Sequence, residues 1–178
     1  MIKFIIEDKE VLLPEEWAEV TVKHFVNPDF LSGNTIRLLA ALSGLEAIKL
    51  ANASDELLAK FDKTFDFLRA NPNGWKGDKP TTFTFMGKEM KVPTDIERCM
   101  FGQKIMFGEA MRKHNHIYQA IPEAIAIYFG VYIYPEDWFD RIDEIKEHTL
   151  ELPISDVFSI VDFFLRSSEQ LVKSGKTF

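Results

Sequence analysis

The sequence predicts a mostly helical α+β protein with two short β-hairpins, each followed by helices, and one extra C-terminal helix. Two observations lead to this prediction. Residues 6–14 and 85–93, which start 79 positions apart, share a pattern in which a Lys-Glu pair and a proline align without a gap. Between and after these segments, apolar residues recur at the three- and four-residue spacing of amphipathic helices.

Each repeated segment is predicted to be a hairpin. Apolar runs at 2–7 and 10–13 flank Asp8-Lys9, a pattern typical of two strands joined by a tight turn. The second pair of strands, 82–86 and 89–92, flanks Gly87-Lys88, where glycine supplies the positive φ of a two-residue turn. A proline ends each second strand, because it lacks the N–H that a ladder needs.

Helices are predicted where apolar spacing and capping residues agree. Thr21 can cap a short helix that stops before Asn27-Pro28. Asn34 or Thr35 opens the next helix, and Ser43-Gly44 closes it. Further helices are predicted at 45–52, at 54–70, at 102–113, at 117–133 with a break or kink at Pro122, and at 135–150.

The last predicted helix, opened by Pro153, has no counterpart in the repeat. It is apolar on almost every side, and such a helix is either central in the fold or shared with another chain. One stripe is expected to pack against the second unit: Val157, Val161, Phe164 and Leu165. The other apolar residues, Ile154, Phe158 and Phe163, are expected at a boundary that another subunit can cover.

We predict one globular domain made of unit 1–79, unit 80–152 and a C-terminal helix at 153–178. The loop 71–80, rich in Asn, Pro, Gly and Lys, marks the internal boundary. Two explanations of the repeat stay open: a true duplication, or two hairpins that merely look alike. A duplication predicts superposable hairpin–helix units, in which Val22 and Phe101 are equivalent. The two hairpins are then candidates for one four-stranded sheet, because a lone hairpin is only marginally stable.

Composition narrows the classes of function. The net charge is −7 with no basic run, so the chain has no electrostatic footprint for nucleic acid, and anionic membranes would repel it. The single cysteine excludes a disulfide-stapled secreted scaffold. The longest apolar stretch, 124–134, is far shorter than the roughly 20 residues that span a bilayer. We therefore expect a soluble protein of a reducing cytoplasm, with no cofactor.

No residue pattern indicates a catalytic or metal site. His114 and His116 are two positions apart, which is the wrong spacing for one helix face, and a solvated or C-capping pair is the simpler interpretation. Cys99 lies at an apolar position, which favours a buried thiol over a nucleophile. The alternating charges of 140–147 are typical of a solvated helix face. Three hypotheses for the function are considered, and the weakest is an enzyme that uses Cys99 or the two histidines.

The candidate interface residues are mostly aromatic. Trp75 lies in the polar loop 71–80, where an exposed tryptophan would be a binding hot spot. The most apolar run favours a core segment, but its tyrosine hydroxyls require a wet boundary. The predicted docking surface therefore consists of Trp75, Tyr128, Tyr132, Tyr134, Ile154, Phe158 and Phe163.

Six short motifs resemble small proteins encoded among the virion and tail genes of tailed phages, common in phages of gut Bacteroidales and often described as tail assembly chaperone-like. They are P-x-x-W-x-x-V-T at 14–21, G-K-E-M-K-V-P at 87–93, M-F-G-Q at 100–103, A-I-A-I-Y at 124–128, Y-P-E-D at 134–137, and P-I-S-D-V with D-F-F-L at 153–165. The resemblance covers most of the chain, and none of the motifs is catalytic.

The resemblance implies a non-enzymatic role in virion or tail assembly, as a chaperone or a minor structural component. The expected partners are other phage structural or tail proteins, or further copies of this chain. The expected location is the host cytoplasm during assembly, or the virion. The second hypothesis is a small intracellular regulator or anti-defence protein that sequesters a host factor through its acidic surface.

Overall fold

The protein is a mostly helical α+β protein with two small antiparallel sheets, as predicted. The computed structural model describes residues 1–6, 9–52, 54, 58–59, 61, 65–69, 81–92, 100–114 and 117–173, and gives the backbone alone at 9, 69, 117, 165 and 167–173. The predicted internal boundary at 71–80 lies outside these residues, so the division into units stays a prediction.

The two hairpins have the same register. Their strands are β1 (Ile2–Ile6) with β2 (Lys9–Leu13), and β3 (Thr82–Phe85) with β4 (Lys88–Lys91). Ile6 lies opposite Lys9 in the first hairpin, and Phe85 lies opposite Lys88 in the second. Residues that are 79 positions apart therefore occupy the same rungs of the two ladders.

The turn of the second hairpin is Met86-Gly87, so the prediction of Gly87-Lys88 is wrong by one residue. Lys9, predicted in the first turn, likewise lies in β2, opposite Ile6. Both turn residues have positive φ, 49° at Met86 and 73° at Gly87, as a two-residue turn that follows the strand twist requires. The observed register places Lys88 opposite Phe85 on the face that packs on the helices. The Lys88 ammonium donates to the carbonyls of Tyr132 and Ile133, at 3.2 and 2.7 Å.

Both segments also begin a helix at positions 79 residues apart, Val22 and Phe101, but the burial of these two residues differs. Ile6 and Phe85 are both buried, but Val22 is fully buried while its counterpart Phe101 is exposed. The hairpins also form two separate two-stranded sheets, so the candidate four-stranded sheet does not form among the described strands. A duplication of the whole unit stays a prediction.

The described helices follow the predicted order. They are α1 (Val22–Phe25), α2 (Thr35–Ser43), α3 (Ala47–Ala51), α4 (Asp66–Arg69), α5 (Phe101–Lys113), α6 (Ile121–Ile133), α7 (Ile142–Leu150) and α8 (Ile154–Lys173). The Asn34 side chain caps α2 by accepting from the amides of Ile36 and Arg37, at 3.0 and 3.1 Å. A 3₁₀ turn, Ile117–Ala120, precedes α6 and confirms the predicted break at Pro122.

The helix predicted at 135–150 is α-helical only from Ile142. The prediction is therefore wrong for the first half of this range. Residues 135–141 instead form successive turns. There the Asp140 amide donates to the Asp137 carbonyl and the Arg141 amide to the Trp138 carbonyl, at 3.1 and 3.2 Å. Trp138 lies so close to α6 that a Cβ at Gly130 would be 3.2 Å from its ring. We attribute the turns to this contact, which holds the tryptophan against α6.

Helix α8 is central in the fold, which is one of the two alternatives for an all-round apolar helix. Phe158 packs against Trp17 and Phe25, with 6.0 Å between ring centroids in each pair. Further along α8, Phe164 packs against Phe107 and Tyr128, at 5.1 and 5.9 Å. Both sides of the helix therefore have aromatic neighbours within the same chain.

The expectation that Ile154, Phe158 and Phe163 lie at an open boundary is wrong. Their exposed fractions are 0%, 4% and 9%, because the aromatic neighbours of α8 cover this side of the helix as well. The stripe expected to be buried is buried at Val157, Val161 and Phe164, while the side chain of Leu165 lies outside the described residues.

Among the described residues, no helix combines the length and the apolar character needed to cross a membrane.

Candidate docking surface

A buried glutamine sets the orientation of α5. The Gln103 side-chain amide donates to the carbonyls of Ile127 and Tyr128 on α6, at 2.7 and 3.2 Å. Its carbonyl oxygen accepts from the Met100 amide at 3.0 Å. These hydrogen bonds satisfy a buried polar group and hold the first turn of α5 against α6.

The position of Gln103 determines which residues of α5 face outward. A helix turns by about 100° per residue, so Phe107 and Ala110 lie on the same side as Gln103. Phe101 and Ile105 are each about 160° away from Gln103, on the opposite side and within about 40° of each other. Phe107 and Ala110 are accordingly buried, whereas Phe101 and Ile105 form an outward stripe.

Three apolar side chains are exposed at the cap and in the first half of α5, and Tyr132 is exposed near the end of α6. The helices are antiparallel, since Gln103 bonds to the middle of α6 and His114 contacts Glu123 near its start. The start of α5 therefore lies beside the second half of α6. We call the four residues here the tip surface, and their exposed fractions are 51% for Met100, 79% for Phe101, 45% for Ile105 and 58% for Tyr132.

The second hairpin borders the tip surface. Lys88 donates to the carbonyls of Tyr132 and Ile133, which are at the end of α6. A cation at a helix C-terminus stabilises it by completing hydrogen bonds and opposing the negative end of the helix dipole. The hairpin therefore fixes the backbone that carries the exposed Tyr132.

The three predicted tyrosines have different surroundings. Tyr132 belongs to the tip surface, while Tyr128 is half-buried, with its ring 6.0 Å from Phe163. The Tyr134 hydroxyl donates to the Glu144 carboxylate at 2.8 Å, and this hydrogen bond raises the pKa of Tyr134. The Arg141 guanidinium lies 4.4 Å from the centre of the Tyr134 ring. Tyr134 is thus engaged by the chain itself.

The remaining candidate residues do not extend this surface. Ile154, Phe158 and Phe163 are buried, so they are unavailable to a partner. Trp75, Cys99 and His116 lie outside the described residues. His114 follows the last turn of α5, and its Nε2 lies 3.2 Å from a carboxylate oxygen of Glu123.

The part of the chain that the structure describes contains no group of three His, Cys, Asp or Glu residues placed to hold a metal ion. In comparisons with protein-family models, curated proteins and solved structures, nothing matches this chain significantly.

Sequence reasoning did not name three of the four tip residues, Met100, Phe101 and Ile105, as interface candidates. It considered Phe101 as the counterpart of Val22 in the repeat. The signal was present in α5 itself, where Phe101 and Ile105 form one apolar stripe and Phe107 and Ala110 form another. A helix that packs through one face leaves the other stripe exposed.

Proposed function

We propose that this is a non-enzymatic phage protein that assists virion or tail assembly by binding another phage structural or tail protein through the tip surface. The observation that carries the proposal is Phe101, a large aromatic side chain that is mostly in solvent on a helix fixed by the hydrogen bonds of the buried Gln103. Burying such a side chain against a partner contributes roughly 1.5–3 kcal/mol. The motif resemblance supplies the class of partner.

The size of the tip surface favours the chaperone role over that of a permanent component. A stable interface uses roughly 20–30 residues on each side around an apolar centre, and the apolar centre that the tip offers consists of four residues. A small hydrophobic contact is typical of transient binding, which lets a chaperone release its client.

The test is co-purification of a tagged chain from cells infected with the phage that encodes it. We would compare the wild type with Phe101→Ser/Ile105→Ser and with a control, Ile48→Ser/Phe139→Ser, whose side chains are also exposed. We expect the wild type and the control to recover virion or tail proteins, and the tip variant to lose them. Equal recovery by all three would reject the tip as the binding surface. Recovery of no phage structural protein by the wild type would reject the function.

A second candidate function is a regulator that sequesters a host factor through an acidic surface. Residues 135–151 contain seven acidic and two basic residues, and most of these acidic side chains are exposed. Such a surface suits a basic partner. The same co-purification separates the candidates, because recovery of a host protein alone, retained by the tip variant and reduced by Asp140→Asn/Asp143→Asn, would support the regulator.

A further inference from the structure

A histidine replaces the usual capping residue at the start of α1. The Nδ1 of His24 accepts a hydrogen bond from the Thr21 amide at 3.2 Å. In the common form of this cap, a Glu or Gln oxygen plays that part. A glutamine oxygen accepts at every pH, whereas an imidazole nitrogen accepts only while it is unprotonated.

The capped residues also join two distant parts of the chain. The Val22 amide donates to the Leu152 carbonyl at 2.9 Å, and the Ile154 amide donates to the Val20 carbonyl at 2.7 Å. Thr21 lies opposite Pro153 in this short antiparallel bridge. We call the contact between 20–22 and 152–154 the junction.

Half of the junction residues are fully buried, and the junction leads directly into the core. Val20, Val22 and Ile154 have no exposed surface. One turn further along α8, Phe158 packs on Trp17 and Phe25. Loosening the junction would therefore separate the start of α8 from the N-terminal segment and open apolar surface to water.

The surroundings of His24 favour its neutral form. Burial lowers the pKa of His24, Lys23 on the same helix lowers it further, and Glu151 at the end of α7 opposes these effects. Helix α7, which packs against α1, also carries the exposed His148. Near neutral pH the imidazole therefore keeps the lone pair that the Thr21 amide needs.

We propose that His24 is a pH-dependent latch, in which the neutral imidazole holds the Thr21 amide and keeps the junction closed, while protonation loosens the junction. In the protonated ring Nδ1 becomes a donor. It can then donate to the Thr21 hydroxyl, whose oxygen lies 3.2 Å away, but the Thr21 amide faces a second donor. The cap loses the acceptor that positions residues 20–22.

The test is amide hydrogen exchange between about pH 8 and about pH 5, corrected for the intrinsic rate. In the wild type we expect protection of the Val22 and Ile154 amides to fall roughly tenfold or more on acidification, while that of Leu38 in α2 stays constant. His24→Gln, which keeps an acceptor that does not titrate, should remove the fall. His148→Gln, which replaces an exposed histidine, should retain the fall in protection.

Three results would overturn the latch: no pH dependence at the junction, the same pH dependence in His24→Gln, or an equal loss of protection at Leu38, which would indicate global unfolding. If His24→Gln does not fold, the wild type still decides by NMR titration. The His24 ring and the Val22 amide must then titrate with one midpoint, lying below the ordinary pKa of histidine. Separate midpoints would reject the latch.

Discussion

Helices α5 and α8 both carry aromatic residues on more than one side, but the burial of these residues differs between the two helices. Every described aromatic ring of α8 is buried, whereas α5 buries Phe107 and exposes Phe101. The difference lies in their neighbours. Helix α8 lies between the Trp17–Phe25 group and the Phe107–Tyr128 group, while α5 packs through the face that contains Gln103. Exposure of an apolar stripe thus depends on how many sides of a helix are covered.

The largest expected difference in stability is between two Phe→Ala substitutions, one in each of these helices. Phe158→Ala should lower the free energy of unfolding by about 3–5 kcal/mol, because it leaves a cavity between Trp17 and Phe25. Phe101→Ala should change it by less than about 0.5 kcal/mol, because the ring is in solvent. Urea denaturation monitored by circular dichroism measures both. Similar losses in the two variants would break the comparison.

The next effect concerns the glutamine that orients α5. Gln103→Met keeps the size of the side chain but removes its bonds to Ile127, Tyr128 and Met100, at a cost of about 1–3 kcal/mol. The same denaturation experiment measures this cost. The control Gln119→Met, on the 3₁₀ turn before α6, should stay within about 0.5 kcal/mol. A neutral Gln103→Met would mean that something else holds the outward stripe in place.

A smaller effect of opposite sign is expected inside α8. The Ser159 hydroxyl is buried and has no hydrogen-bond partner among the residues that the structure describes. Ser159→Ala should therefore raise the free energy of unfolding by about 1 kcal/mol, because it removes an uncompensated polar group. Thermal unfolding gives the sign directly, with Ser155→Ala near the start of the helix as the control. A loss of stability in Ser159→Ala would show that the enclosure of α8 depends on this hydroxyl.

The smallest effect concerns the hairpin that borders the tip surface. Lys88→Met should cost about 0.5–1 kcal/mol, because the carbonyls of Tyr132 and Ile133 lose their cationic donor. Lys91→Met, on the opposite face of β4, is the matched control and should be neutral. Thermal unfolding at low and high salt checks the cause, since salt should shrink the difference. A salt-independent loss would point to packing instead of charge.

Prediction from the sequence worked best where a structure depends on residues a few positions apart. The cap at Asn34, the break at Pro122 and the presence of both hairpins each follow from local chemistry, although the predicted turns are displaced by one residue. Prediction failed at 135–141, where proline and acidic residues indicate a helix start but Trp138 packs against Gly130. It also failed for the candidate surface, where Phe158 and Phe163 are covered and Phe101 is exposed.

The sequence by itself determined the fold class, the order of the elements and most helix ends, because capping, turn formation and apolar periodicity act within one or two turns of chain. Only the tertiary structure decided which apolar stripe meets water. That choice depends on neighbours far apart in sequence, such as the Gln103 contact with Ile127 and the packing of Phe158 on Trp17. A side chain is buried only where two surfaces meet, and the residues of one helix do not specify which other element packs against it.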